Sequence, residues 1–401
     1  MILMKKIKLF IGLIGISFLT TGCWNYHELN DLAITTGIAI DFKEDKYVVS
    51  YMIANAKKNQ GESNKQESSS VVYSGEGNSI SLAYMDLNNK IPKIPYISHL
   101  EVLVISEDVA KKGVINIIDF LMRNPESRKE FYIVLSKDTE ASTILQTLSP
   151  LESFPSQSIA NNIKSNQSEQ STIIVSEYSE FVSKLLKQGI EPILSGIEIE
   201  GNEEEGKEQS SLESSTPSAT TKIDKMGIFK DDKLVGWVGT NETIAINILN
   251  NKAGTVLLES KCDNEYMAAT LSNVKTKTNI NFNEDIPIVK LDIVAEGALV
   301  EINCKKNLEE ISVIEQLGDE FSKSLKEMLT DTIQLVQKEY QSDILGYGNM
   351  IYKNNLKKWE KIKNKWEKEI FPNLEIEMQV KISLSSKGSF EQTLMEAKNE
   401  E

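Results

Sequence analysis

The sharpest pattern in the chain lies near its C-terminus. Leu374, Ile376, Met378, Val380, Ile382 and Leu384 alternate without interruption with Glu375, Glu377, Gln379, Lys381 and Ser383. A period of two places the six apolar residues on one face of a strand and leaves the other face wet. Upstream the period lengthens. From Ile311 onward, Ile314, Leu317, Phe321, Leu325, Met328, Ile333, Val336 and Tyr340 mark one side of a helix, about thirty residues long at this spacing. Asn307 with Glu310 resembles a capping pair in front of it. Leu356, Trp359, Ile362, Trp366 and Ile370 predict a second helix, and the spacing puts both tryptophans on one face. Those tryptophans are read as core rather than as a ligand-stacking platform.

The first half mixes the two periods. Leu32–Phe42 and Tyr47–Ala54 read as strands, and Leu100–Ile105 and Phe131–Leu135 as short strands buried on both faces. Helical spacing appears at Ser79–Asn88, at Asp108–Met122 with a break at Gly113, at Ala141–Leu148 and at Tyr178–Leu186. The last is closed by Gly189 and Pro192. Lys57–Ser70 reads as a loop. Alternating strands and helices of this kind make an α+β or mixed α/β domain.

Residues 201–221 hold almost nothing to bury and predict an acidic Ser/Glu linker. After them, Met226–Phe229 and Leu234–Val238 flank a turn and predict a hairpin. A short helix near Glu242–Leu249 and strands at Thr255–Cys262, Met267–Lys277 and Ile288–Ala295 follow. The expected organisation is a leader at 1–22, an N-terminal mixed α/β domain at 24–200 and the linker at 201–221. A small β-rich middle domain at 222–285, an α+β C-terminal domain at 286–388 and a disordered tail at 389–401 complete it. The fold class is α+β, a three-domain ectodomain with mixed sheets and packed helices.

The leader sets the compartment. Lys5, Lys6 and Lys8 precede an apolar run from Leu9 to Leu19, and Gly22-Cys23 follows. A basic start, a short apolar core and a small residue make a secretory signal. Cys23 stands where bacterial lipoprotein processing acylates a thiol. The position three residues before it, usually Leu, is Thr20. Plain secretion and an uncleaved anchor are the alternatives, and all three put the body outside the cytoplasmic membrane.

Charge narrows the partners. The formal charge is −15, and losing the three leader lysines leaves −18. Such a chain is repelled by nucleic acid and by anionic headgroups. Nucleic acid is therefore excluded as a partner. Attachment through a basic patch is not expected, and the lipid is left as the membrane link. With Cys23 acylated, Cys262 and Cys304 remain. They are read as buried free thiols, with a disulfide as the alternative.

Little else bears chemistry. The chain has 2 His, no Cys/His cluster with zinc spacing and no nucleophile elbow or HExxH helix. His99 is read as a hydrogen-bonded structural residue. Gly75-Glu76-Gly77 and Gly346-Tyr347-Gly348 are incomplete glycine fingerprints. No cofactor, metal or catalytic residue is expected.

The run Cys23-Trp24-Asn25-Tyr26-His27-Glu28-Leu29-Asn30-Asp31-Leu32-Ala33, with Gly37-Ile38-Ala39-Ile40-Asp41, resembles the start of the mature spore germination lipoproteins, the Ger(x)C-type C subunits of nutrient germinant receptors. Ser98-His99-Leu100-Glu101-Val102, Asp119–Glu126, Gly227–Trp237, Asp343–Gly348 and the two later tryptophans resemble further family motifs, in order. Asn25 and Asn124 depart from the pattern. The resemblance implies a non-enzymatic, three-domain lipoprotein on the outer face of the spore inner membrane. It further implies integral-membrane A and B subunits as partners and triggering by nutrients; whether this subunit binds nutrient directly stays open. Trp24 and Glu28, beside the anchor, are candidate partner contacts. A lipid-anchored extracytoplasmic solute-binding protein, which needs a cleft between two similar lobes, and a cell-envelope hydrolase are the rival readings.

Overall fold

A computed structural model of the chain describes residues 28–55, 68–124, 127–169 and 171–385. Two sheets organise them. The first holds nine strands and the second holds four. The α+β expectation stands.

In chain order the first sheet begins with β1 (Leu32–Lys43), β2 (Lys46–Ala54) and β3 (Ser70–Gly77) as an antiparallel meander. Helix α1 (Ile80–Lys90) follows, capped by the Ser79 side chain, which accepts from the Leu82 N–H. The short β4 (Ile94–Tyr96) pairs with the start of β1, and β5 (Val102–Ser106) runs parallel to β1. Helices α2 (Glu107–Lys112) and α3 (Ile115–Arg123) are separated at Gly113, as the sequence predicts. Then come β6 (Tyr132–Ser136), α4 (Ala141–Gln146), α5 (Pro155–Glu169), α6 (Tyr178–Leu185) and β7 (Ile193–Gly201). β1, β5, β6 and β7 form a parallel centre with apolar layers on both faces. That explains why β5 and β6 appear in the sequence as unbroken apolar runs.

The segment expected to be a linker is folded. Asn202 caps a short helix, α7 (Glu203–Gly206), by accepting from the Glu204 and Glu205 N–H groups, and a 3-10 turn spans Gln209–Leu212. The chain then returns as β8 (Ala219–Lys230) beside β7, with Gly201 opposite Ala219. The polar residues satisfy caps and turns instead of spacing two domains, so composition alone misplaces this stretch.

β8 and β9 (Lys233–Val238) form the expected hairpin, but they complete the first sheet. Helix α8 (Thr240–Leu249), buried from Thr243 to Leu249, lies between the two sheets. β10 (Val256–Cys262), β11 (Glu265–Asn283) and β12 (Ile286–Ile302) then open the second sheet. The stretch 222–285 is thus divided between two sheets.

Helix α9 (Ile311–Gln334) continues into a π-helical turn at Leu335–Tyr340, the long helix predicted from spacing. It buries Leu317, Phe321, Leu325 and Leu329 in the same core as Val289, Leu291 and Ile293. Burial of this kind contributes about 1.5–3 kcal/mol per side chain. Asn307 and Glu310 do bond to each other, at 3.1 Å, one turn ahead. Short helices α10 (Tyr347–Asn354) and α11 (Leu356–Ile362) and irregular turns to Asn373 lead into β13 (Glu375–Ser385), parallel to β12.

Cys262 and Cys304 form a disulfide, with their Cα atoms 5.9 Å apart. This overturns the preference for free thiols. Cys262 closes β10 and Cys304 follows β12, and both strands flank β11. Only the register of the long β11–β12 hairpin brings them together, and no sequence spacing reveals it.

Candidate functional site at the junction of the two sheets

Two loops meet where the first sheet touches the C-terminal helices. One is Gln188–Pro192, which leads into β7. The other is Ser342–Gly348, which leads into α10. Asp343 is their centre. Its carboxylate accepts from the Gly346 N–H (2.8 Å), the Tyr347 N–H (3.2 Å), the Gly348 N–H (2.8 Å) and Trp366 Nε1 (3.0 Å). The residue is 1% exposed. Burial pushes its pKa up to about 6, and the four N–H donors work against that rise. Above that pH the charge sits at the start of α10, where the helix dipole favours an anion.

The glycines exist for this geometry. Gly346 has φ of +72°, a left-handed conformation that a side chain disfavours. A Cβ on Gly348 would stand 2.6 Å from Trp366 Nε1 and 2.8 Å from the Gly189 Cα. The motif is a backbone cradle for a carboxylate and a site of close chain crossing. As a glycine fingerprint for a phosphate it was weak, and that is not its role here.

Backbone bonds tie the two loops together. The Asn349 N–H donates to Gly189 O (2.6 Å) and the Glu191 N–H to Asp343 O (2.9 Å). The Asn349 side chain donates to Gln188 O, and Trp359 Nε1 to Gln188 Oε1, both at 2.8 Å. Ser342 Oγ donates to Phe229 O (2.5 Å), and Tyr340 Oη to Trp237 O (2.8 Å). The hairpin motif at 227–237 is therefore fastened to the C-terminal helices. Trp359 and Trp366 pack edge to face at 5.7 Å and are buried, as core residues.

Beside this knot lies an acidic group. Carboxylate oxygens of Glu191, Asp231 and Glu367 approach within 4.8 Å of one another. Glu191 is 8% exposed and accepts from the Asp231 N–H at 2.8 Å. Burial first, and the nearby Glu367 charge second, push its pKa up to about 8. Both causes favour its protonated form. The three oxygens are a donor set a hard cation could use.

A second buried carboxylate, Asp41, ends the glycine-apolar-Asp strand motif. It accepts from the Ala141 and Ser142 N–H groups at 2.7 and 3.0 Å, so it caps α4 across 100 residues of sequence. Burial raises its pKa, and those two backbone bonds oppose the rise. Asp232 does similar work for α3, accepting from the Ile115 N–H at 3.2 Å. Sequence reasoning named neither Asp41, Glu191 nor Asp343 as a working residue. The signal for Asp343 was an acid three and five residues before glycines.

Of the residues expected to be functional, Cys23 and Trp24 lie outside the described residues, as do the leader and the 389–401 tail. Glu28 is the first described residue and is exposed, one 3-10 turn (Leu29–Asp31) before β1. The structure does not join it to the Asp343 knot. His99 is exposed on the turn before β5, its ring 6.0 Å from Tyr96. The nine- and four-stranded sheets are unlike each other, which is not the pair of similar lobes a solute-binding protein needs.

Residues 25–199 match the model of the spore germination protein N-terminal domain, and residues 224–388 that of the spore germination B3/GerAC-like C-terminal domain. The chain belongs to the GerAC-like spore germination family. It is 25% identical over 376 residues to spore germination protein KC of Bacillus subtilis (strain 168), covering 92% of each chain. It is 21% identical over 393 residues to spore germination protein GerQC of Bacillus cereus, covering 96% of this chain and 99% of that one. The crystal structure of the GerBC protein shares the fold, with a TM-score of 0.55 at 18% identity over 87% of this chain and 96% of that chain. Apart from Cys23-Trp24, the motifs that carried the resemblance lie within the two matched ranges. In this structure those at Asp41, Gly227–Trp237 and Asp343–Gly348 serve caps and the junction. Asp119 and Arg123 form an exposed ion pair at 2.8 Å at the end of α3.

Proposed function

We propose that this spore germination protein is the lipid-anchored C subunit of a nutrient germinant receptor, held through Cys23 at the outer face of the spore inner membrane. Its role is non-catalytic: it docks on integral-membrane A and B subunits and shifts the balance between their resting and active states. The observation that carries this reading is the match of both family domains, in order, behind a leader that ends at Gly22-Cys23. Among the described residues no helix is long and apolar enough to cross a membrane. Acylation then supplies the attachment and raises the concentration of the body near its partners. Trp24 and Glu28 are the partner contacts nearest the anchor.

The test is Cys23→Ala in spores. The reading expects the protein to leave the membrane fraction and the germination response to nutrient to fall. Unchanged fractionation together with an unchanged response contradicts it.

A further inference from the structure

The chain is acidic overall, yet one surface is not. Leu186 and Lys187 follow α6 directly, and Tyr352, Lys353, Leu356 and Lys357 lie on α10 and at the start of α11. Leu186 is 68% exposed, Leu356 54% and Tyr352 39%. All three lysines are exposed, and none pairs with a carboxylate among the described residues. The two segments are held together by Gln188, which accepts from Asn349 and Trp359, and the Tyr352 ring meets Trp359 at 6.5 Å. Three acids of the neighbouring segments are paired with other lysines. Glu180 pairs with Lys252 and Lys184, Asp285 with Lys358 and Lys361, and Glu360 with Lys363.

The surface also faces the right way. β1, β5, β6 and β7 are parallel, with Gly37 level with Val102, Val102 with Tyr132, and Val134 with Ser195. The start of β1, and with it the stretch leading back to Glu28, therefore lies at the same end of the sheet as the Gln188–Pro192 loop.

We propose that Leu186, Lys187, Tyr352, Lys353, Leu356 and Lys357 form a docking surface for anionic phospholipid headgroups, which seats the body on the bilayer that its N-terminus is tethered to. The inference rests on the lipid-tether reading above. Exposed lysines beside aliphatic and aromatic side chains suit the headgroup boundary: the ammonium groups meet phosphate and the apolar groups enter the interface. The overall negative charge does not prevent this. The Debye length is about 8 Å at physiological salt, so a headgroup feels the local lysines and not the distant acids. The expectation from net charge, that no basic patch would contact the membrane, is thereby revised. The lipid fixes where the protein is, and this surface fixes which side of it faces the membrane and which remains for partners.

The experiment is amine labelling read by mass spectrometry on the full acylated protein. It is reconstituted in phosphatidylglycerol-containing vesicles and, in parallel, in vesicles of phosphatidylcholine alone. Lys187, Lys353 and Lys357 are expected to label at least about fivefold more slowly on the anionic vesicles. The difference should vanish in 1 M salt, where the Debye length falls to about 3 Å. Lys261 and Lys305, at the far end of the β11–β12 hairpin from Asp285, should label alike on both. In a Lys353→Gln/Lys357→Gln variant, Lys187 should lose its protection. Equal labelling on both vesicles while the protein still floats with them overturns the docking surface and leaves the tether standing. Protein that floats with neither vesicle overturns the tether and the docking together. Protection that appears only when membrane-protein partners are co-reconstituted assigns the surface to a protein and overturns the lipid proposal.

Discussion

The two sheets solve the same problem in different ways. The first has a parallel centre buried on both faces, and its strands carry little pattern beyond being apolar. The second has one face against α9 and one face in water, and its strands alternate. β12 and β13 show the alternation residue by residue, with Val289, Leu291 and Ile293 inward and Lys290 and Asp292 outward. A second contrast follows. The second sheet is closed by a covalent bond, Cys262–Cys304, across the two strands that flank β11, whereas the first is fastened to the C-terminal helices by hydrogen bonds around one buried carboxylate. The first device is local. The second joins regions more than 150 residues apart, such as Gln188 and Asn349. The two halves share one continuous apolar core through α8. The junction is expected to make them unfold together.

The largest effect is expected from Asp343→Ala. It leaves three backbone N–H groups and the Trp366 indole N–H without their acceptor in a buried site. A loss of about 3–5 kcal/mol is expected. Calorimetry should show a lower melting temperature for the whole protein. If only the second sheet melted earlier, the junction would not couple the halves.

Removing the disulfide, with Cys262→Ser and Cys304→Ser together, should cost about 2–4 kcal/mol for a loop of this length. The measurement is chemical denaturation of the double variant. The covalent link acts within one sheet, so a loss larger than that of Asp343→Ala would contradict the ranking.

Glu191→Gln tests the acidic group at the same junction, with the opposite sign. In the folded protein Glu191 keeps its proton up to about pH 8, while an unfolded chain releases it near the ordinary glutamate value of 4.5. Between those values the folded state binds more protons, so stability falls as pH rises through the window. Glutamine does not titrate. The variant should be more stable than the wild type at pH 9 and equal to it below pH 4. A pH-independent difference in denaturation midpoint would contradict the assignment.

The smallest effect belongs to the exposed Asp285, which pairs with Lys358 at 2.7 Å and Lys361 at 3.2 Å. Solvent screens such a pair, and Asp285→Asn should leave the melting temperature unchanged.

The contrast between the sheets also explains what the sequence disclosed. β13 was legible because its two faces meet different media, and α9 because a single stripe is buried. β5 and β6 were legible as buried runs. Helix α5 has a faint stripe because its buried aliphatic residues, Ile159, Ala160 and Ile163, are few among Ser, Asn and Gln. β7 is obscured between the Gly189–Pro192 stop and the acidic run after it. The 201–221 stretch misled because capping and turn chemistry uses the same polar residues as a disordered linker. The division between sheets within 222–285 is a fact of pairing, and pairing is not written in local composition. For the junction the parts were visible, Asp343 with its glycines and the two tryptophans, but not that they converge on Gln188–Glu191. The lysine surface was hidden for a related reason: a net charge averages over faces that only folding separates.

The proposed attachment through one sulfur is checked by mass spectrometry of the N-terminal peptide from protein recovered from spore membranes. The predicted result is a chain that begins at Cys23 with a thioether-linked diacylglycerol. A free Cys23 thiol, or a peptide that still carries the Lys5–Leu19 leader, would contradict it.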